Sequence, residues 1–146
     1  MDTSLNYAKL MDLFNAQTGT VNILWNIFVA VSLGVLGFVL KEKDLRENRK
    51  IKLLFSIGFI IFAIGNLTAI TRSQEILVAL SNALRKAAQN NQTEYRPVLE
   101  AYRAQSVFNI QRGHLIFSAL VVLAIWLPDI AALIQGRREA VKMEKA

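Results

Sequence analysis

Residues 21–40, 51–70 and 115–134 form three long apolar runs, and Asp129 is the one acidic residue inside them. Each run has about the 20 residues that an α-helix needs to cross the hydrocarbon core of a bilayer. With these runs set aside, too little of the 146-residue chain remains to build a conventional water-soluble core. The sequence therefore predicts a single membrane-embedded, all-α domain with transmembrane helices at 20–40, 51–71 and 114–134.

Composition and charge agree with this interpretation. Hydrophobic residues make up 53% of the chain, more than the roughly 45–50% of a soluble domain. The absence of cysteine excludes disulfides, thiolate metal sites and cysteine nucleophiles. The net charge of +6 comes from basic residues that flank the apolar runs. This placement favours anionic lipid head groups over nucleic acid, so we expect the lipid bilayer to be the main partner.

The basic residues also predict a topology, because short loops rich in Lys and Arg stay on the cytoplasmic side. They crowd the link between the first two runs and the basic tail 135–146, whereas the N-terminal segment has only Lys9. The residues concerned are Lys41, Lys43, Arg46, Arg49, Lys50 and Lys52 in the link, and Arg137, Arg138, Lys142 and Lys145 in the tail. We expect a multi-pass protein of the bacterial inner membrane with its N-terminus outside and its C-terminus in the cytoplasm.

The N-terminal segment 1–19 lacks the positively charged start of a signal peptide. Its apolar residues Leu5, Leu10, Leu13 and Phe14 fit one face of a helix on the membrane surface. A frayed tail is the alternative.

The long connection 72–113 is patterned as a helical hairpin. Apolar residues recur every three or four positions over 73–89, and a rougher apolar face follows Pro97. We predict two arms, 51–89 and 94–134, that extend the second and third transmembrane helices beyond the bilayer. The alternative is a pair of shorter helices on the membrane surface, broken at 71–73 and at Gly113.

Polar and small residues mark the transmembrane helices. The first carries a stripe with spacings of three and four, which suits either an oligomer interface that lines a pore or packing within one subunit. We call it the α1 stripe, and it consists of Gly19, Asn22, Asn26, Ala30, Gly34 and Gly37. Amides are costly in hydrocarbon without partners, so we predict that Asn26, Asn66 and Ser118 converge, within a subunit or between subunits.

Two ionisable residues need separate interpretations. Asp129 is either an ion or proton site paired with Lys41 or Lys52, or the cap of a short helix 130–135 after Pro128. The single histidine, His114, is expected to mark the membrane edge. Without a second ligand at a recognised spacing, the sequence predicts neither a metal site nor a cofactor.

No catalytic motif is present, so we expect a protein without enzymatic activity. The first functional hypothesis is a homo-oligomeric pore lined by polar side chains, with Arg72 and Arg112 at its mouth. The alternative is a binding or regulatory membrane protein, such as an accessory subunit or an immunity protein, that acts through the hairpin. Its partner-binding residues would be Tyr95, Arg96, Tyr102, Arg103 and Phe108.

Overall fold

A computed structural model describes residues 3–42, 48–89 and 102–144, with side chains described over 7–42, 48–88 and 102–130. These residues form three α-helices and no β-strand: α1 (Thr3–Lys41), α2 (Arg49–Gln89) and α3 (Val107–Glu144). The predicted all-α class is therefore confirmed for the described chain. All three helices are long enough and apolar enough to cross a membrane.

Helix α2 is continuous from the second apolar run to Gln89, as the first hairpin arm predicts. Neither 71–73 nor Gly113 interrupts a helix, so the two breaks that the alternative requires are not found. The 41 residues of α2 span about 62 Å at 1.5 Å per residue, roughly twice the thickness of a hydrocarbon core.

The second hairpin arm is shorter than predicted. Helix α3 begins at Val107, and residues 102–106 form a turn and an irregular segment rather than a continuous helix from residue 94. Ser106 provides the reason, because its hydroxyl accepts a 3.3 Å hydrogen bond from the Asn109 amide and caps the first turn. Residues 94–101, with Tyr95 and Arg96, lie outside the described part of the chain.

Helix α2 begins with a similar cap. The Asn48 side-chain oxygen accepts hydrogen bonds from the amides of Lys50 (3.0 Å) and Ile51 (3.4 Å). These bonds satisfy amides that lack partners in the first turn of a helix, and α2 therefore starts within the basic link.

The described residues divide into two compact units. The first comprises residues of Met1–Val29 and Ile64–His114. Its core joins the N-terminal half of α1 to the second half of α2 through Phe14, Val21, Leu77 and Leu84. Partly buried side chains surround this core: Tyr7, Leu10, Met11, Trp25, Leu80, Tyr102 and Ala104.

Part of the N-terminal segment, which the sequence assigns to the membrane surface, takes part in this packing. Leu10 and Phe14 pack on protein within the core cluster. The Phe14 ring meets the edge of Tyr102 at 5.2 Å. Helix α1 also runs from Thr3 to Lys41 without a break, so this segment is the first part of a long helix.

The second unit comprises residues of Ala30–Ala63 and Leu115–Ala146. Its buried apolar side chains include Val39, Phe59, Val121 and Ile125. Pro128 lies inside α3 without ending it, although proline removes one backbone donor from the helix.

Several hydroxyl groups bond within their own helix. Thr18 donates to the Phe14 carbonyl, Thr20 to the Ala16 carbonyl and Thr68 to the Ile64 carbonyl, at 2.9–3.3 Å. Such a hydroxyl is satisfied whatever surrounds the helix.

Candidate functional site

His114 is the centre of a buried polar cluster in the first unit. Its side chain is 1% exposed, and its Nε2 lies 3.1 Å from the Asn66 side-chain oxygen. The Asn66 amide group in turn donates to the Leu24 carbonyl at 3.2 Å. The cluster therefore ties α1, α2 and α3 together with polar contacts inside apolar helices.

Aromatic rings enclose the imidazole. Phe28 stacks on it with ring centroids 3.8 Å apart, and Trp25 lies at 5.8 Å. His114 is thus a packed core residue, and the sequence had placed it only at the membrane edge. The signal available in the sequence was the Trp25–Phe28 spacing, which puts two aromatic rings on one face of α1.

Asn66 has other partners than the predicted Asn26 and Ser118 in the described hydrogen bonds. Asn66 meets His114 and the backbone of Leu24, whereas the Asn26 side chain is exposed. Leu24 lies within one helical turn of Asn26, and His114 within about one turn of Ser118. Asn66 therefore lies at the level of Leu24 and His114, whereas the Asn26 side chain lies on another face of α1.

Lys52 and Asp129 form a second buried polar site, in the second unit. The lysine Nζ lies 2.5 Å from Asp129 Oδ2, and the two side chains are 0% and 24% exposed. The Nζ also lies 5.9 Å above the ring of Trp126, whose Nε1 donates a 3.0 Å hydrogen bond to Ser56 Oγ.

The structure contradicts one of the two interpretations of Asp129. Helix α3 runs through Asp129 to Glu144, so no short helix begins there and the cap interpretation is wrong. Lys52 is one of the two lysines proposed as its partner. The sequence places Lys52 among the residues of the basic link, but α2 begins at Arg49 and carries this side chain into the unit interior.

Apart from Asn22, which lines a cleft together with side chains of α2 and α3, the α1 stripe faces away from the chain's own helices. Asn22, Asn26, Ala30 and all three glycines of the stripe are exposed. A side chain built at Gly19, Gly34 or Gly37 would meet no heavy atom within 4 Å outside its own helix in the described structure. The close helix contact that packing within one subunit requires is therefore not found at these glycines in the described residues.

The two arginines proposed for a pore mouth are both exposed. Their neighbours Thr71 and Gln111 approach each other, with a 3.4 Å hydrogen bond from the Gln111 amide group to the Thr71 hydroxyl. Arg72 and Arg112 therefore lie at the same level of α2 and α3.

The segment before α3 is held by side chains of α2. Ser81 donates to the Tyr102 carbonyl and Gln74 to the Gln105 carbonyl, both at 2.7 Å. Of the residues proposed for partner binding, Tyr102 is half-buried against Phe14, whereas Arg103 and Phe108 are exposed.

A cleft of about 400 Å³ opens beside this segment in the first unit. Its apolar wall includes Phe14, Val21, Trp25, Leu77 and Ile110. Its polar groups come from Thr18, Asn22, Gln74, Arg103 and Gln105. Sequence reasoning missed this cleft because it depends on the irregular segment 103–106, which was predicted to be helical.

The described residues contain no cluster of three or more potential metal ligands. No protein-family model matches the chain, and the comparisons found no similar curated protein and no similar solved structure.

Proposed function

We propose that this chain is a multi-pass membrane protein whose three helices cross the bilayer. Large apolar side chains are exposed along all of them, for example Ile23 (60%), Ile61 (67%) and Leu127 (61%). A soluble protein rarely leaves such side chains in long contiguous rows, whereas lipid tails accommodate them. The basic link and tail support a cytoplasmic C-terminus and an external N-terminus, as in a bacterial inner membrane.

In this arrangement the helices are longer than the bilayer. The second half of α2 and the first part of α1, joined through their core cluster, extend outside the membrane. This part of the proposal rests on the length of α2 and on the charge bias between the loops.

We further propose that the chain assembles into a homo-oligomer through the α1 stripe and forms a pore. The single observation that carries this proposal is the exposure of the Asn26 side chain within the apolar run 21–40 of α1. An amide facing hydrocarbon without a partner is costly, commonly by a few kcal/mol. In an oligomer, the same amide faces a partner helix or water.

The glycines of the stripe support close contact between subunits. Because the positions next to Gly34 and Gly37 are open, a second helix can approach the α1 backbone closely there. One chain with three helices is too small to enclose a conduction path, so a ring of chains is required. Exposed Arg72 and Arg112 at one level would bias such a path towards anions.

The proposal is tested by ion flux through purified protein in sealed vesicles. We expect conductance in the original chain and its loss in Asn26→Leu. The matched control is Thr68→Val, which removes a polar group from an exposed position of α2. Vesicles that stay tight at every tested voltage and pH would refute the pore.

Assembly has its own test. Gly34→Ile should abolish the oligomer in detergent and leave the helical content unchanged, since its new side chain meets open space within the chain. Gly58→Ile is the control, because Gly58 is equally open but lies on α2. An intact oligomer in Gly34→Ile would reject the α1 stripe as the interface.

A second candidate function is supported by Phe108, which is 68% exposed in the first turn of α3. Together with exposed Arg103 it offers an aromatic and an arginine anchor to a protein partner. In that case the chain is a binding or regulatory subunit. Cross-linking from position 108 in cells should then capture one protein reproducibly, and Phe108→Ser should abolish that product. Capture of no protein would reject this function.

A further inference from the structure

We propose that the cleft of the first unit binds an anionic glycerophospholipid from the outer face of the bilayer. This inference rests on the membrane insertion proposed above, but it requires neither a pore nor an oligomer. The cleft brings together an apolar wall, several uncharged polar groups and one guanidinium. That combination matches the chemistry of a phosphodiester head group attached to acyl chains.

The electrostatics of the cleft select the charge of the ligand. Arg103 is the sole charged residue among those lining the cleft, and it is exposed. A guanidinium binds phosphate oxygens through two parallel hydrogen bonds. Since no carboxylate lines the cleft, the site favours an anionic ligand over a zwitterionic one.

The depth of the cleft fits a lipid better than a soluble metabolite. Its wall on α1 extends from Phe14 to Trp25, about 17 Å along the helix axis. It therefore straddles the start of the first apolar run at residue 21. Tryptophan is favoured at the boundary between head groups and hydrocarbon, which is where Trp25 would lie.

The size of the cleft indicates which parts of the lipid it can hold. A volume of about 400 Å³ accepts the phosphate, the glycerol and the start of the chains but not two whole acyl chains. The chains would continue along the exposed apolar side chains Ile23 and Ile27 of α1. The cleft would thus fix the head group while the tails remain in the bilayer.

Two polar side chains of the cleft already make hydrogen bonds within the chain. The Gln74 side chain is 1% exposed and bonds to the Gln105 carbonyl, which fixes the segment that carries Arg103. The Thr18 hydroxyl donates to the Phe14 carbonyl, so its oxygen is left as an acceptor for a glycerol hydroxyl. The polar side of the site is therefore preorganised.

Native mass spectrometry of the purified protein in detergent, with phosphatidylglycerol or phosphatidylcholine added at equal amounts, tests the proposal. We expect phosphatidylglycerol to be retained preferentially. Arg103→Gln should reduce its retention at least about tenfold. Arg112→Gln removes another exposed arginine, which lies outside the cleft, and should leave retention unchanged. Ala104→Leu fills the cleft without changing charge and should also reduce retention.

Trp25 provides a readout at the site itself. The chain has two tryptophans, so Trp126→Phe leaves Trp25 as the only indole. Brominated phosphatidylglycerol at a low fraction in the micelle should quench Trp25, and Arg103→Gln should remove most of that quenching.

Three results would overturn the proposal. Equal retention of both lipids shows that the head-group charge is not recognised. Undiminished retention in Arg103→Gln shows that lipid binds elsewhere. Competition by inorganic phosphate or glycerol phosphate at the same concentration shows that the site takes a soluble anion. A failed conductance test leaves this proposal intact, because lipid retention is measured on the detergent-solubilised chain.

Discussion

The Lys52–Asp129 pair predicts that replacing Asp129 costs more stability than replacing Lys52. Removing one partner from a buried ion pair costs about 3–5 kcal/mol, mainly because the surviving charge stays buried. The two members differ in this respect, since Lys52 is 0% exposed and Asp129 is 24% exposed. Asp129→Asn leaves the fully buried ammonium unpaired, so we expect a loss of about 4 kcal/mol. Lys52→Met leaves the partly solvated carboxylate, so its cost should be smaller, about 2 kcal/mol.

The double variant distinguishes a paired charge from two independent ones. Lys52→Met combined with Asp129→Leu removes both charges and keeps the volumes similar. Replacement of a buried pair by apolar side chains is often neutral. We therefore expect the double variant to be more stable than either single variant.

The assay is unfolding in mixed micelles with increasing sodium dodecyl sulfate, followed by helical circular dichroism and, in a Trp25→Phe background, by the fluorescence of Trp126. Lys50→Met is the control, because this lysine is exposed near the start of α2 and should change stability by less than about 0.5 kcal/mol. The reasoning is refuted if both single variants match this control. It is also refuted if the double variant loses the sum of the two single costs.

Two further predictions concern the first unit. A double-mutant cycle with Asn66→Leu and His114→Phe, measured by the same unfolding assay, should give a coupling energy of about 0.6 kcal/mol and at most about 1.7 kcal/mol, the average and the maximum for polar contacts in membranes. Additivity of the two variants would show that the contact is not stabilising. Ser81→Ala removes the bond to the Tyr102 carbonyl, so amide hydrogen exchange should accelerate over residues 102–106 while the middle of α2 stays protected; unchanged exchange would show that this bond does not hold the segment.

The sequence predicts the helices well where a single pattern extends over many residues. The apolar runs and the spacing of three and four beyond Arg72 were enough to place α2 as one helix to Gln89. Asn48 carries a local signal of the same kind, because its side chain caps α2, but the prediction from the apolar run does not use it and starts this helix at residue 51. Such signals lie within the segment itself, so they can be found without knowing the fold.

The features that sequence reasoning missed depend on contacts between distant residues. The irregular segment before α3 is held by Gln74 and Ser81, which are 31 and 21 residues from the groups they bind. His114 is buried because Phe28 stacks on it from another helix. The burial of Lys52 depends on the face of α2 that meets α3, and a run of charges does not reveal that face.

The polar side chains of α1 differ in whether they need a hydrogen-bond partner from outside their own helix. Thr18 and Thr20 complete their hydrogen bonds within one helical turn, so Thr20 can face acyl chains, solvent or another protein at equal cost. The Asn26 amide has two donor hydrogens and an acceptor oxygen, so it gains most from an environment that supplies several hydrogen-bond partners. Substituting valine at Thr20 should therefore be silent in any surroundings. Asn26→Leu should stabilise a monomer in lipid, because it removes an amide that faces hydrocarbon. It should destabilise an oligomer in which that amide has a partner.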